Sequence, residues 1–594
     1  MTVVQELTAL DQAIDAGTKR LLSLQHPDGW WMGELESNAT MIAEHLFWLH
    51  FLGLRDSVTD RKLANELLAR RRDDGTWSNW FEGPANLSTT IESYVALKMA
   101  GVDAGAVTLD YIRRNGGVSH ARVFTKCFLA LLDQWPWQRI SPVPPEVVLL
   151  PPSAPFSIYN LACWARQTVV PLSVVMALRP TRPAGVDLRE IGARPGTTRP
   201  AARPGPLRRR AIAAAEAWVR ERQEADGGWG GIQPPWVWSI VMLATLGHGF
   251  EDAQLRAAVE GWGGFLIDEG DRLRPEACQS PVWDTALALL GLRACGVPAD
   301  HPQLRKAGEW LLGEEITVKG DWSVRVPDVE PGGWAFEFAN DLYPDIDDVA
   351  VICLALRELD LGDAAAARGL AWLDGMQSSN GGWGAFDVDN TSEWIYRIPF
   401  FDFGAAIDPP SEDVAGHVVE ALAPHEKYAR ATRRGLDYLL REQQADGSWW
   451  GRWGVNHVYG TAAVLPALEA AGIEADHPSM RRAVAWLDSV QAGNGGFGED
   501  IRSYHEPGWR GRGVPTASQT AWGVLAYVAA GEASRASARA GADYLCDTQL
   551  DNGDWREEHF TGTGFPTDFM IRYHLYRLYF PLMALGRLRE RLNA

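Results

Sequence analysis

A glutamine, then a glycine four residues on, then an aromatic ring two beyond it recurs along the chain, and this repeat constrains the fold more than any other feature. The copies are Gln25/Gly29/Trp31, Gln223/Gly227/Trp229, Gln377/Gly381/Trp383, Gln443/Gly447/Trp449, Gln491/Gly495/Phe497 and Gln549/Gly553/Trp555. A seventh has Arg71 in the glutamine place before Gly75 and Trp77, and Trp310 to Trp322 reads as an eighth that has lost its glutamine. Each copy ends a helix-period run, which a turn rich in Asp, Asn and Gly stops. The glycine supplies the positive φ needed after a helix. The glutamine amide caps a neighbouring helix terminus and the ring covers it, so these residues staple helices and do no chemistry. A second helix follows each staple, opening near Ser280, Asp345, Ser411, Gly460 or Ala517. Helix pairs that alternate in this way close into rings whose inner helices all begin at one end. The expected fold is all-α, with Asp284, Asp345, Asp347, Asp348, Asp413 and Tyr459 drawn toward one mouth.

At 594 residues the chain is too long for one core and predicts two to four domains. Twenty-seven tryptophans exceed what the staples use and call for an aromatic core or cavity. A net charge of −20 opposes general nucleic-acid binding, because phosphates need a cationic face. The six cysteines stand singly, which predicts reduced thiols in a cytoplasmic protein and no structural zinc. The N-terminus is acidic where a signal peptide is basic, and no apolar run is long enough to span a bilayer. Between Arg179 and Arg210 lie nine Arg and six Pro against one Asp and one Glu; this reads as a solvated linker, with contact to anionic lipid as the functional alternative.

The sharpest chemical signal is the run of Asp345, Asp347 and Asp348 at a helix start. A helix cap explains one aspartate and rarely three, and the spacing of a calcium loop is absent. Crowded carboxylates cannot all ionise, so one holds its proton. A cationic His that stabilises the conjugate base makes such a group a strong acid, and His417, four residues after Asp413, is the candidate. An acid of this strength suits protonation of a carbon–carbon double bond. The resulting carbocation needs a stabiliser that is not a nucleophile, and aromatic faces serve. Taken singly, each ring outside the staples is ordinary core; as a set, they call for a cavity.

With these residues in place the sequence resembles the squalene–hopene cyclase family of class II, protonation-initiated terpene cyclases. The Gln/Trp staples and the Asp-x-Asp-Asp motif carry the resemblance, together with GGIQPPW (230–236), SPVWDT (280–285), MQSSNGGWGAFDVDN (376–390), PPSEDVAGH (409–417), GRWGVN (451–456) and TGTGFPTDF (561–569). The resemblance implies two (α/α) barrel domains, residues 1–30 with 268–594 and residues 31–250, the latter including the 179–210 linker, with a large apolar cavity between them. It implies Asp347 as proton donor supported by Asp345 and Asp348, His417 hydrogen-bonded to the acid and Asp413 orienting His417. Asp284 and Tyr459 would restore the proton through water. Trp283, Phe336, Phe386, Trp453, Phe565, Phe569, Tyr573 and Tyr576 would line the path of the cation, and Trp164, Ile232, Gln233, Pro234 and Trp238 its far end. There Glu44, Glu92 and Arg122 would place a terminating water. No cofactor and no metal is implied. The implied reaction is cyclisation of a linear polyprenoid, squalene to hopene or hopanol, ended by deprotonation or water capture.

The sequence departs from the family pattern near the acid, with Val349, Phe386, Glu337 and His457 where Thr, Tyr, Gln and Tyr are expected, and Trp238 stands in place of a further Tyr. The Arg/Pro segment is shorter than the family's and lacks its amphipathic membrane-dipping helix, which weakens the implied peripheral membrane contact. Three other readings stay open: the same chemistry on a shorter or aryl-capped polyprenoid, an α/α-toroid binding module, and an α/α-barrel glycosidase. A homodimer is implied by the resemblance alone.

Overall fold

A computed structural model describes residues 3–566 and 568–593. Six helices close one ring: Pro281–Ala294, Ile346–Glu358, Glu412–Leu422, His457–Ala470, Ala517–Ala529 and Tyr576–Asn593, each packed on the next and the last on the first. Around them lie Pro302–Gly313, Asp363–Gly375, Ala429–Glu442, Pro478–Val490, Ala536–Thr548 and Val3–Ser23, so the outer layer joins the two ends of the chain. The sequence separates the layers. Every residue from Pro281 to Leu292 is buried, whereas Ala429–Glu442 buries only Ala431, Gly435, Tyr438 and Leu439, one stripe at helical spacing.

A second group of helices, Thr40–Leu52, Leu87–Met99, Val123–Leu131, Cys163–Leu178 and Gln233–Thr245, packs around another core, with Ser57–Ala69, Ala106–Arg114, Pro206–Arg220 and Ala253–Gly261 outside it. The buried apolar residues fall into two large clusters, one built from residues 10–35 and 277–588, the other from residues 39–273 with Tyr343 and the loop at 395–407. That loop leaves its own sequence neighbours and packs on the other core. Two small sheets lie among the helices. Leu35–Glu36 and Gly562–Phe565 flank Phe569–Tyr573, all antiparallel, with Leu35 opposite Tyr573, and Leu266–Asp268 pairs with Leu273–Pro275.

The staples have a uniform geometry. Each glutamine Nε2 donates twice, to the carbonyl of its own turn glycine and to a carbonyl of the next outer helix: Gln443 to Gly447 O (2.8 Å) and Ser479 O (2.9 Å), Gln377 to Gly381 O and Ala431 O (2.9 Å each). The indole Nε1 donates to a carbonyl ten residues earlier, in the last turns of its own helix, as Trp31 to Leu21 O, Trp383 to Leu373 O and Trp449 to Leu439 O (2.7–2.8 Å). Carbonyls that the helix leaves unpaired are thereby satisfied. Arg71 does the glutamine's work by donating to Ala104 O. The eighth copy differs from expectation. Trp334, not Trp322, donates to Leu311 O (2.6 Å), and Glu315 in the glutamine place pairs with Arg368 of the next outer helix. An inserted segment carries the ring far down the chain, which spacing alone conceals.

The Arg/Pro segment holds one 3₁₀ turn, Arg189–Ile191, and its last five residues open the helix Pro206–Arg220. It is less free than a solvated linker: Arg182 donates to Phe51 O and Glu190 takes Tyr94 and Lys98. Among the described residues no helix is long and apolar enough to cross a membrane.

Candidate active site

Asp345 is the N-cap of Ile346–Glu358, its carboxylate accepting from the amides of Asp347 (2.8 Å) and Asp348 (3.4 Å). One aspartate therefore does the capping and the other two stand in the first turn, buried. Across from them, His417 Nδ1 lies 2.6 Å from Asp347 Oδ1. Burial opposes charge on this imidazole, but the Asp347 carboxylate outweighs it and holds His417 at about 9. Asp345 and Asp348 are pushed well up, first by burial and then by the neighbouring carboxylates. The Asp348 Oδ1 finds no donor among the described residues. In the cluster one carboxyl, Asp347, faces the imidazole and stands between two whose ionisation burial disfavours.

Asp413 does not hydrogen-bond His417. Its Oδ2 accepts from the amides of Arg452 and Trp453 (2.8 Å each), which fixes the Trp453 loop beside the aspartates, and it reaches His417 by charge. Asp284 accepts from Gly33 N (2.8 Å), Tyr579 OH (2.9 Å) and Ser280 Oγ (3.0 Å), and burial still pushes it to about 7. Tyr459 lies behind the cluster, its ring 6.4 Å from His417 and 4.8 Å from Trp522. His457 pairs with Glu499 at 3.0 Å, away from the aspartate cluster.

All three aspartates of the motif open on one chamber. Its walls hold Trp164, Ile232, Trp283, Phe336, Phe386, Trp453, Phe565, Phe569, Tyr573 and Tyr576, drawn from both cores. Tyr573 and Tyr576 stack at 4.2 Å, and the Trp283 indole donates to Tyr576 OH. Trp164 meets Phe386 at 5.8 Å, Trp453 at 6.0 Å and Phe565 at 6.1 Å. With Ile232, Phe565 and Phe569 it also lines a second chamber, so the two spaces share a wall. Gln233, Pro234, Trp238, Glu44 and Arg122 line the second chamber, and Glu92 sits behind them. There Arg122 lies 3.5 Å from Glu92 and 3.8 Å from Glu44, while Gln233 donates to Glu44 (2.9 Å). Burial raises both Glu44 and Glu92.

Sequence reasoning passes over several polar wall residues of the first chamber: Cys163, Gln167, Cys278 and Asn340. No spacing distinguishes them from core. Missed too is the ion pair of Arg166 with Asp387, which joins the helix bearing Trp164 to the turn bearing Phe386. Asp321 completes this buried group, accepting from Arg222 (2.7 Å) and Tyr343 OH (2.8 Å).

The family model described as squalene-hopene cyclase C-terminal domain matches residues 279–590, and that of the N-terminal domain matches residues 14–204 and 197–271. A squalene–hopene cyclase of Alicyclobacillus acidocaldarius is 44% identical, over 98% of this chain and 98% of that protein. A squalene–hopene cyclase of Bradyrhizobium diazoefficiens is 38% identical (99% and 96%), as is a dammaradiene synthase of Dryopteris crassirhizoma (98% and 94%). Among solved structures, ent-copalyl diphosphate synthase from Streptomyces platensis shares the fold with a TM-score of 0.53 at 17% identity, over 97% of this chain and 99% of that one.

Proposed function

The chain belongs to the squalene–hopene cyclase family, and from that premise we propose that it protonates a terminal double bond of a linear polyprenoid and steers the cation through ring closures, squalene to hopene or hopanol being the leading case. The observation that carries this reading is the 2.6 Å Asp347–His417 pair set in the wall of an aromatic chamber. Asp347 Oδ1 accepts from the imidazolium, and its other oxygen delivers the proton to the alkene carbon. The π electrons form the new C–H bond and leave a tertiary cation. Asp347 is left a carboxylate beside His417, while the protonated Asp345 and Asp348 add no repulsion. The His417 cation thus stabilises the product side of the transfer, which is what makes Asp347 strong.

Each later cation meets the faces of Trp164, Phe336, Phe386, Trp453, Phe565 and Phe569, worth about 0.5–2 kcal/mol per ring once water is gone. The final cation loses a proton or takes up water near Glu44, Glu92, Arg122 and Gln233. A water relay past Asp284 and Tyr459 returns the proton to Asp347. We assign residues 1–30 with 268–594 to the domain that holds the acid and residues 31–250 to its companion.

The test is incubation of purified protein and Asp347→Asn with squalene in detergent and EDTA, with products read by mass spectrometry. Pentacyclic product from the unaltered protein alone is the expected result. Equal product from both would remove Asp347 from the mechanism, and product from neither would remove squalene as substrate.

A further inference from the structure

Three arginines among the described residues are more than nine-tenths buried: Arg166, Arg274 and Arg452. Carboxylates account for two of them, since Arg166 pairs with Asp387 and Arg274 with Glu34. Arg452, with 5% exposure, makes one side-chain hydrogen bond among the described residues, Nη1 to Gly564 O (3.1 Å). Asp408 and Asp413 act on its charge without bonding to its side chain, and both accept from backbone amides instead. Burial pulls the guanidinium down from its ordinary value, yet such a group stays a cation at neutral pH. A buried charge with no counter-ion in contact is costly, and one carbonyl is a poor reason for it. The hairpin that carries Gly564 is already tied to the Trp453 loop by Thr563 N to Trp453 O (3.1 Å) and by the bridge of Gly454 with Gly562.

What Arg452 does touch is the aromatic wall. Its guanidinium carbon lies over the Trp453 ring, 4.5 Å from the centre, and over that of Trp164 at 5.8 Å. The two indoles meet edge-on at 6.0 Å and both line the chamber of the aspartates, while Trp164 also lines the second chamber. Arg452 itself lines neither space, so its charge stands behind the rings. A ring holds a cation through the negative potential of its faces, and a guanidinium on Trp453 already draws on that potential. A second cation within about 6 Å of the Trp453 centre would also stand within about 11 Å of the first, in an apolar space where little water screens the repulsion. Phe336 and Phe386 line the same chamber and have no cation over them among the described residues.

We infer that Arg452 is a specificity-determining residue whose fixed charge keeps the migrating carbocation off Trp453 and Trp164, at the wall the two chambers share. The inference rests on the cyclase reading and adds to it that the rings of the chamber are unequal hosts.

The test reads charge preference without chemistry. Two saturated isoprenoid chains serve as probes, one ending in trimethylammonium and one in tert-butyl, alike in shape and unable to react. Their binding to the full chain is measured by isothermal titration calorimetry in a non-ionic detergent. Arg452→Gln keeps a donor for Gly564 O and loses the charge, and the ratio of ammonium to tert-butyl affinity is expected to rise roughly tenfold. Arg452→Met gives the same rise, whereas Arg452→Lys keeps the charge and leaves the ratio near that of the unaltered protein. A role confined to packing or to the Gly564 bond would move both probes together. That outcome, an unchanged ratio in Arg452→Gln, or an equal rise in Arg452→Lys overturns the inference. A crystal structure of the unaltered protein with the ammonium probe needs no variant: nitrogen away from Trp453 and Trp164 supports the inference, and nitrogen over either ring refutes it. Squalene turnover by the unaltered protein is scored separately, so its absence counts against the cyclase reading and leaves the affinity ratio to judge Arg452.

Discussion

His417 is the residue on which the proposed acid depends, and its charge gives a pH signature. The folded imidazole titrates at about 9, above the ordinary value of 6.5, so the pairing with Asp347 contributes stability in full below 6.5 and loses it as pH rises through about 9. Cyclase activity follows the same limb: kcat/KM is expected to fall above pH about 9, and a profile flat through pH 10 would sever the imidazolium from catalysis. His417→Gln keeps a hydrogen bond but no charge, and is expected to lower kcat roughly 10²–10⁴-fold with the fold intact by circular dichroism. At this scale the sequence was legible where chemistry forces unusual residues together, as in Asp345, Asp347 and Asp348. It was silent on Gln167 and Asn340. A polar residue on a buried helix or turn looks the same in sequence whether it faces a core partner or a chamber, and only the path of the backbone decides.

The element that repeats is the staple, and its two hydrogen bonds per glutamine make a quantitative expectation. Gln443→Leu strands Gly447 O and Ser479 O and should cost about 1–2 kcal/mol. In a domain of this size that lowers the melting temperature by about 2–8 °C in calorimetry, with product profile unchanged at permissive temperature. Trp449→Phe loses the bond to Leu439 O and leaves a void where the larger indole was fully buried, so its cost should exceed that of the hydrogen bond alone, about 2–3 kcal/mol. A shifted product ratio in either variant would mean the staples shape the chamber after all. The repeat made the ring of helices readable because each copy encodes the same local act, a helix end covered and tied to the next. The eighth copy was misread because its ring, Trp334, arrives after an insertion. The short strands at Leu35–Glu36 and Phe569–Tyr573 escaped notice since two to five residues carry no periodicity.

Across the whole molecule, the chamber exists only where the two cores meet, and charged groups hold that seam. Arg166 faces Asp387 and Asp321 in full burial, and Asp321 also takes Arg222. Arg166→Met leaves Asp387 without its cation and should cost about 3–5 kcal/mol in urea denaturation. Because the Trp164–Phe386 contact flanks this pair, surviving protein should release a larger share of partly cyclised products. An unchanged product ratio would show that the aromatic wall is set elsewhere.

The first and last helices, Val3–Ser23 and Tyr576–Asn593, pack on each other in the ring that carries Asp347. On the ribosome, the whole second core and five of the six inner helices emerge before the sixth can take its place. Until then the proposed acid, Asp347, stands in an open trough where water would compete for every cation. The order of synthesis thus delays the hazardous chemistry to the moment the ring shuts, and a chain cut short by its final helix is expected to be inert as well as unstable.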